Sequence, residues 1–465
     1  MPTDSLPDKP NRERLAGHAK ELRDLVRSGA DGAIALVRDH HPRFGDLAAG
    51  SAEASRFKLA DAQLTVARHY EFASWPKLRS HVETVNRLTR SPHESVTSGQ
   101  PIVDAADDAT LADELLRLGC LNYGNDHPTR WADAGKLLDA HPHVASFSIH
   151  TAAAVGDVRL VASFIARDRS AASVEGGPFR WVPLVYLTYS RIPARPGLDA
   201  VGAARMLFEA GADPNAGYLW DGLPSPFTAL TGVFGRGEQG APPHRDELTL
   251  ARLLLDAGAD ANDSQTIYNR GSGDIARDDT EFLELLFDYG LGTGDGGPWH
   301  RLLGHTHQTP VEIAAEALQH AAEAGLVNRA RLLLSRGVDP NRRATHPLYH
   351  GRTPYQCAVL HGNTAVAELL SRVGADTSGV DPGLAFVGAC LAGDRNTVTL
   401  MLRTDPSLLD RARELHGDLI ARAVTRAQRD AIGYLMKLGF DINARHRTTA
   451  LHEAALRLRR RWSAT

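Results

Sequence analysis

Residues 250–262 read LARLLLDAGADAN, and this stretch decides the fold. Leu250, Leu253, Leu254 and Ala257 fall at i, i+3, i+4 and i+7 ahead of Gly258. That spacing puts them on one face of a helix. A glycine just past the last turn lets a helix end in the left-handed conformation without a Cβ penalty. Asp260 and Asn262 follow as turn residues, whose side chains bond nearby backbone.

Working outward, the phrase recurs. Its glycines are Gly211, Gly258, Gly290, Gly337, Gly374 and Gly439, at intervals of 47, 32, 47, 37 and 65 residues. The base unit is about 33 residues, two intervals carry an insertion of about 14, and the last interval holds two units. The same apolar face precedes Gly290 (Phe282, Leu285, Leu286, Tyr289), Gly374 (Val366, Leu369, Leu370, Val373) and Gly439 (Ala431, Tyr434, Leu435, Leu438). The Asp-x-Asn turn recurs at Asp213 and Asn215, Asp339 and Asn341, and Asp441 and Asn443. A first helix is expected before each second one. Thr309-Pro310 and Thr353-Pro354 read as starts, with threonine as cap and proline in the first turn. TTALHEAA at 448–455 reads as another.

This pattern resembles the ankyrin repeat. The resemblance covers about residues 111–455 and implies an all-α ankyrin-repeat solenoid of about nine helix-turn-helix units, several degenerate and two or more with long insertions. Ahead of it, residues 1–92 are expected to form a helical N-terminal domain with helices over 13–27, 31–39, 58–69 and 77–88, and 93–110 reads as a linker, marked by the polar run 91–108. Units at 131–141 with 148–167, and at 400–406, depart from the pattern by ending in Asp168 and in RTDP. FTALTG at 227–232 replaces the usual helix start. The final unit stops after Ala455 in a basic tail, 456–465, so the last repeat reads as incomplete or cut. The resemblance gives His452 a structural role, bonding backbone between repeats.

Composition narrows the function classes. The 465 residues are 43% hydrophobic and 23% charged with net charge −4, so no global basic field draws nucleic acid or anionic membrane. Three cysteines, Cys120, Cys357 and Cys390, form no CxxC, which fits a reducing compartment, and Cys357 and Cys390 fit buried fillers. The start has no apolar leader and no run of 18 apolar residues occurs, so a cytoplasmic location is expected. Only six of the 52 basic residues are lysine, a usage expected of a GC-rich bacterial genome. The stretch AQLTVARHYEFASWPKLRSHV faintly resembles a helix-turn-helix, but residues 1–90 carry 15 Lys and Arg against 12 Asp and Glu, and Trp75, Leu78 and Val82 are spaced as a core stripe. The segment is therefore expected to cap the first repeat.

The sequence points to no catalytic, cofactor or metal site. GRGEQG at 235–240 matches GxGxxG by letter but is followed by Pro242 and Pro243, which suits an inter-repeat loop. His300, His305 and His307 lack an acidic or cysteine companion at metal spacing. His452-Glu453 lacks the second histidine of HExxH, and Asp278-Asp279 reads as a solvated turn. What stands out is aromatic and amide character: Trp181 heads a segment with Tyr186 and Tyr189, Tyr218 and Trp220 follow, and Gln265, Tyr268, Asn269 and Arg270 lie past a turn. Tyr186 and Phe227 are expected in the core. Trp181, Tyr218, Trp220, Gln265, Tyr268, Asn269 and Arg270 are expected to bind a partner, with Tyr218, Trp220 and Tyr268 in exposed loops. The function expected is a non-catalytic scaffold that binds another protein on the concave face of the solenoid, without cofactor. The alternatives are a nucleic-acid-linked regulator using the N-terminal helices, and an enzyme with a pocket in the insertions 217–247 and 291–308.

Overall fold

The computed structural model describes residues 6–7, 9–95, 107–271, 277–345, 349–426, 428–444, 451–452 and 454. The TTALHEAA start and the basic tail lie largely outside them. The chain is mostly helical. The N-terminal helices are α1 (Arg12–Arg27), α2 (Asp31–His40), α3 (Ala52–Ser55), α4 (Leu59–His69) and α5 (Trp75–Leu88). Next come α6 (Asp108–Gly119), α7 (Pro128–Ala140), α8 (Ile149–Val155), α9 (Val158–Arg167), α10 (Pro183–Tyr189), α11 (Ala200–Ala210), α12 (Ala229–Phe234) and α13 (Glu247–Asp256). They are followed by α14 (Ser264–Gly271), α15 (Glu281–Asp288), α16 (Gly297–Leu303), α17 (Pro310–Ala324), α18 (Val327–Ser335), α19 (Pro354–Leu360) and α20 (Thr364–Arg372). The last are α21 (Pro382–Ala392), α22 (Arg395–Thr404), α23 (Ser407–Leu415), α24 (Leu419–Thr425) and α25 (Arg429–Lys437).

Contacts divide the chain into two compact units. The first comprises Met1–Val233, His244–Asp260 and Asp295–Gln308; the second comprises Phe234–Pro243, Ala261–Gly294 and Thr309–Thr465. In the first, α8 packs on α9 and α10, α9 on α11, and α11 on α13. In the second, α14 packs on α17, α17 on α18 and α19, α19 on α20 and α21, and α24 on α25. Helices α8, α17 and α19 thus each meet both the helix that follows them and a further helix.

The local reasons are those read from the sequence. The turn glycines Gly211, Gly258, Gly290, Gly337, Gly374 and Gly439 all have φ between 77° and 100°. Thr309 and Thr353 cap α17 and α19 in reciprocal boxes with Glu312 and Gln356. Asp213, Asp339 and Asp441 accept the backbone N–H two residues on, each at 2.8–2.9 Å. The asparagines reach further, to the next turn of the same kind. Asn215 donates to the Gly258 carbonyl and accepts from the Asp260 N–H, both at 2.9 Å. Asn262 donates to the Thr293 carbonyl at 3.0 Å and accepts from the Gly292 N–H at 2.8 Å. Asn341 accepts from the Asp376 N–H at 2.7 Å.

The N-terminal helices have their own core. Leu15, Ala19, Leu22 and Val26 of α1 face Ile34, Val37, Val66, Leu78 and Val82, all buried, with Trp75 partly buried beside them. Their docking corrects the expected cap on the first repeat. Strand β1 (Thr89–Arg90) pairs in parallel with β2 (Gly217–Trp220), which pairs antiparallel with β3 (Pro226–Thr228). Val85 and Leu88 pack with Leu219, Trp299 and Leu303. A His305 ring nitrogen lies 3.2 Å from the Tyr70 carbonyl, and its ring meets Phe72 edge-on. The segment therefore rests on the two insertions, which supply a strand edge and an amphipathic turn of helix that the regular units lack.

Candidate functional site

The site is built on a turn clamped before α10. Residues 174–181 read VEGGPFRW. The Gly176 N–H donates to the Trp181 carbonyl at 3.0 Å, and the Arg180 N–H to the Gly177 carbonyl at 3.1 Å. The Tyr186 hydroxyl donates to the Gly176 carbonyl at 2.9 Å and accepts from the Phe179 N–H at 3.1 Å. From α8, a His150 ring nitrogen lies 2.9 Å from the Val174 carbonyl. This is the kind of bond the resemblance assigned to His452. The motif SIHTAAA at 148–154 carries it, and the sequence reading did not assign it there. Burial depresses the His150 pKa, although the Val174 carbonyl opposes the shift. Gly177 has φ +63°, and a Cβ there would stand 2.6 Å from the Tyr186 hydroxyl. Arg180 takes φ +54°, a strained value for a side-chain-bearing residue.

The turn sends Trp181 inward and leaves Arg180 in solvent. Trp181 is 3% exposed and stacks on Tyr218 at 4.9 Å, with Phe179 at 4.6 Å and Tyr189 at 5.1 Å. Tyr186 and Phe227 are buried as expected. The expected exposure of Tyr218 and Trp220 is corrected. Both lie on β2, Tyr218 is 2% exposed, and burial pushes its phenol well above the usual range. Trp220 is half-buried, donates to the Asn122 carbonyl at 2.9 Å and stacks on His93. These aromatics pack against one another because the hairpin brings β2 onto α10, a pairing between residues far apart in sequence.

A cavity of about 340 Å³ opens beside this cluster, lined by Leu88, Val182, Val185, Trp181, Tyr218, Trp299 and Leu302 among others. At its edge, buried Arg90 is saturated. It holds Glu175 with two bonds of 2.7–2.8 Å and donates to the carbonyls of Arg87, Thr89 and Arg180. Arg87 lines the same cavity, is exposed, and makes no side-chain bond or ion pair among the described residues. The buried Trp181 Nε1 has no hydrogen-bond partner there.

The other four expected residues lie in the second unit, on α14. Gln265, Asn269 and Arg270 are buried, and Tyr268 is half-buried in a helix, which corrects its loop placement. Gln265 donates to Asn269 at 2.9 Å, and the Tyr268 hydroxyl donates to Glu238 at 3.0 Å. The Arg270 guanidinium lies 4.4 Å from the Phe282 ring centroid and 3.0 Å from an Asp279 oxygen. Asp279 also pairs with Arg329, while Asp278 accepts the Asn328 and Arg329 N–H groups at the start of α18. The solvated turn expected at Asp278-Asp279 is instead a clasp. Burial raises the Asp279 carboxyl, but Arg270 and Arg329 outweigh it and hold the group below its usual range.

Facing α14, helix α17 buries Glu316, Gln319 and His320. Among the described residues, Nδ2 of Asn269 and Oγ1 of Thr266 are buried without hydrogen-bond partners. Burial, then the charges of Glu323 and Glu312, push Glu316 up to about 7. Sequence reading missed this polar row because α17 reads as an ordinary apolar helix start.

The described residues hold one cluster with metal-ligand geometry. Ligand atoms of His93, Glu94 and Asp221 lie within 4.8 Å of one another. Lys9 at 2.7 Å and the Ser91 hydroxyl at 2.5 Å already engage Asp221. GRGEQG forms an ordered turn, with the Arg236 N–H donating to Ala241 and the Gly237 N–H to Asn269. His300 lies in α16, and His307 is buried and pushed down to about 4 by burial and by His300. Burial raises all three thiols to about 12. No described helix is long and apolar enough to cross a membrane. Comparison with known proteins finds no matching family model and no matching curated protein.

Proposed function

We propose that this chain is a non-catalytic scaffold of ankyrin-type helix pairs that binds a partner protein through its turns and first helices. The observation that carries the reading is the asparagine series. Asn215, Asn262 and Asn341 each bond the turn that follows 30 to 45 residues later. A chain built from such a unit presents side chains in a regular row, which suits an extended protein surface better than a single reaction centre. In the first unit the face offered to a partner is the turn 174–181 with the rim of the adjoining cavity, where Val174, Arg180 and Leu302 are exposed. The role needs no cofactor, and net charge −4 favours a protein partner over nucleic acid.

The test is affinity capture of the full chain from cells that make it, with and without nuclease. The expected result is a small set of proteins that survives nuclease and re-forms a complex from purified components. A set that vanishes with nuclease, or turnover of a small molecule by the purified chain alone, contradicts the reading.

A further inference from the structure

We propose that the cavity of the first unit is an anchor pocket for one aromatic side chain of a partner segment whose flanking residues are acidic. The inference rests on the scaffold reading and names the partner's chemistry. At about 340 Å³ the cavity falls at the small end of ligand pockets, roughly 300–1,000 Å³, a size for one ring and not for a large cofactor. Its walls are apolar and aromatic: Leu88, Val182, Trp181 and Trp299. An aromatic ring gains from burial there and from edge or offset contact with the indoles. Trp181 contributes its indole to this wall, and its Nε1 is buried with no acceptor among the described residues.

The rim supplies the charge preference. Arg87 has no partner among the described residues, and the 73% exposed Arg180 reaches Glu175 only at 3.7 Å. The nearby carboxylates are engaged: Glu175 with Arg90 at 2.7 Å, and Asp213 with the Asn215 N–H at 2.8 Å. Two guanidinium groups thus stand at the mouth, each suited to paired bonding of a carboxylate. The mouth is open, with Leu302 41% exposed on its wall. A pocket so open fits a side chain projecting from a larger body, which covers the rest, better than a free small molecule that needs enclosure.

The test measures fluorescence anisotropy of a fluorescein-labelled peptide, GSEWESG, with the full chain. Saturable binding is expected below about 1 mM, the weak range of a single anchor. It should disappear for GSEAESG. The double substitution Arg87→Glu with Arg180→Glu should weaken it about tenfold or more, and GSKWKSG should recover binding to that variant. Trp181→Phe shortens the aromatic wall, and should weaken binding while leaving the helical spectrum intact. Equal binding of the alanine peptide, no effect of the double reversal, or no binding of GSEWESG overturns the proposal. A captured partner that binds the doubly reversed chain as tightly as the unaltered one overturns the anchor and leaves the scaffold. Peptide binding as described, with no partner captured, leaves the anchor and overturns the scaffold.

Discussion

Arg270 shows what a residue type reveals and what it hides. Arginine among aromatics is a common interface residue, yet here its guanidinium lies between Phe282 and Asp279 in a buried clasp with Arg329. The partners are an aromatic 12 positions on and a carboxylate in a stretch that reads as a turn, so direction was not legible from spacing. Arg270→Ala should cost about 2–3 kcal/mol, because it strips the stack and leaves Asp279 half-paired, and urea unfolding measures it. Arg270→Lys should recover only part, since a point charge cannot stack as a planar fork does. Glu316 gives a second residue-scale prediction. Its carboxyl is raised to about 7 in the folded chain, so the folded state binds the proton more tightly than the unfolded one. The associated stability is complete below about pH 4.5 and is lost as pH rises through 7. Glu316→Gln should therefore stabilise the chain at pH 8 by up to about 3 kcal/mol and matter little at pH 4. Equal effects at the two pH values would contradict the assignment.

At the scale of elements, helix ends were the most legible feature. The apolar face before each glycine and the Thr-Pro starts act within one turn of helix, and α13, α15, α17, α19, α20 and α25 stand where those signals put them. The longer reach of the asparagines was not legible, because their partners lie a full unit away. Asn215→Ala removes two bonds and should lower stability by about 1–2 kcal/mol, with faster amide exchange at 258–260. The turn before α10 is a second element held from both sides. Gly177→Ala forces a Cβ against the Tyr186 hydroxyl at a left-handed φ and should cost about 1–3 kcal/mol. Gly258, with the same class of φ and open space around it, should cost less on the same change. The aromatic strand β2 was not fully legible because one of its two partners, β1, lies more than 120 residues earlier.

At the scale of the whole molecule, the seven expected contact residues divide between two units. Trp181, Tyr218 and Trp220 belong to one, and Gln265, Tyr268, Asn269 and Arg270 to the other. Sequence placed these residues on a surface, whereas Trp181, Tyr218, Gln265, Asn269 and Arg270 are buried and Trp220 and Tyr268 are half-buried. The first unit should also be acid-sensitive. Burial holds His81 and His307 down to about 4, so they stay neutral in the folded chain and charge more readily when it unfolds. Stability from these groups is complete above about pH 6.5 and is lost as pH falls toward 4, opposite in direction to Glu316. Thermal unfolding followed from pH 7 to 4 should show a falling midpoint that His81→Phe partly flattens. The central claim, binding of a partner protein by the turns of a helix-pair chain, is tested most directly by hydrogen–deuterium exchange of the full chain with and without its captured partner. The account predicts slowed exchange across 172–182, 213–220 and 297–303. A partner that leaves those segments unchanged would contradict it.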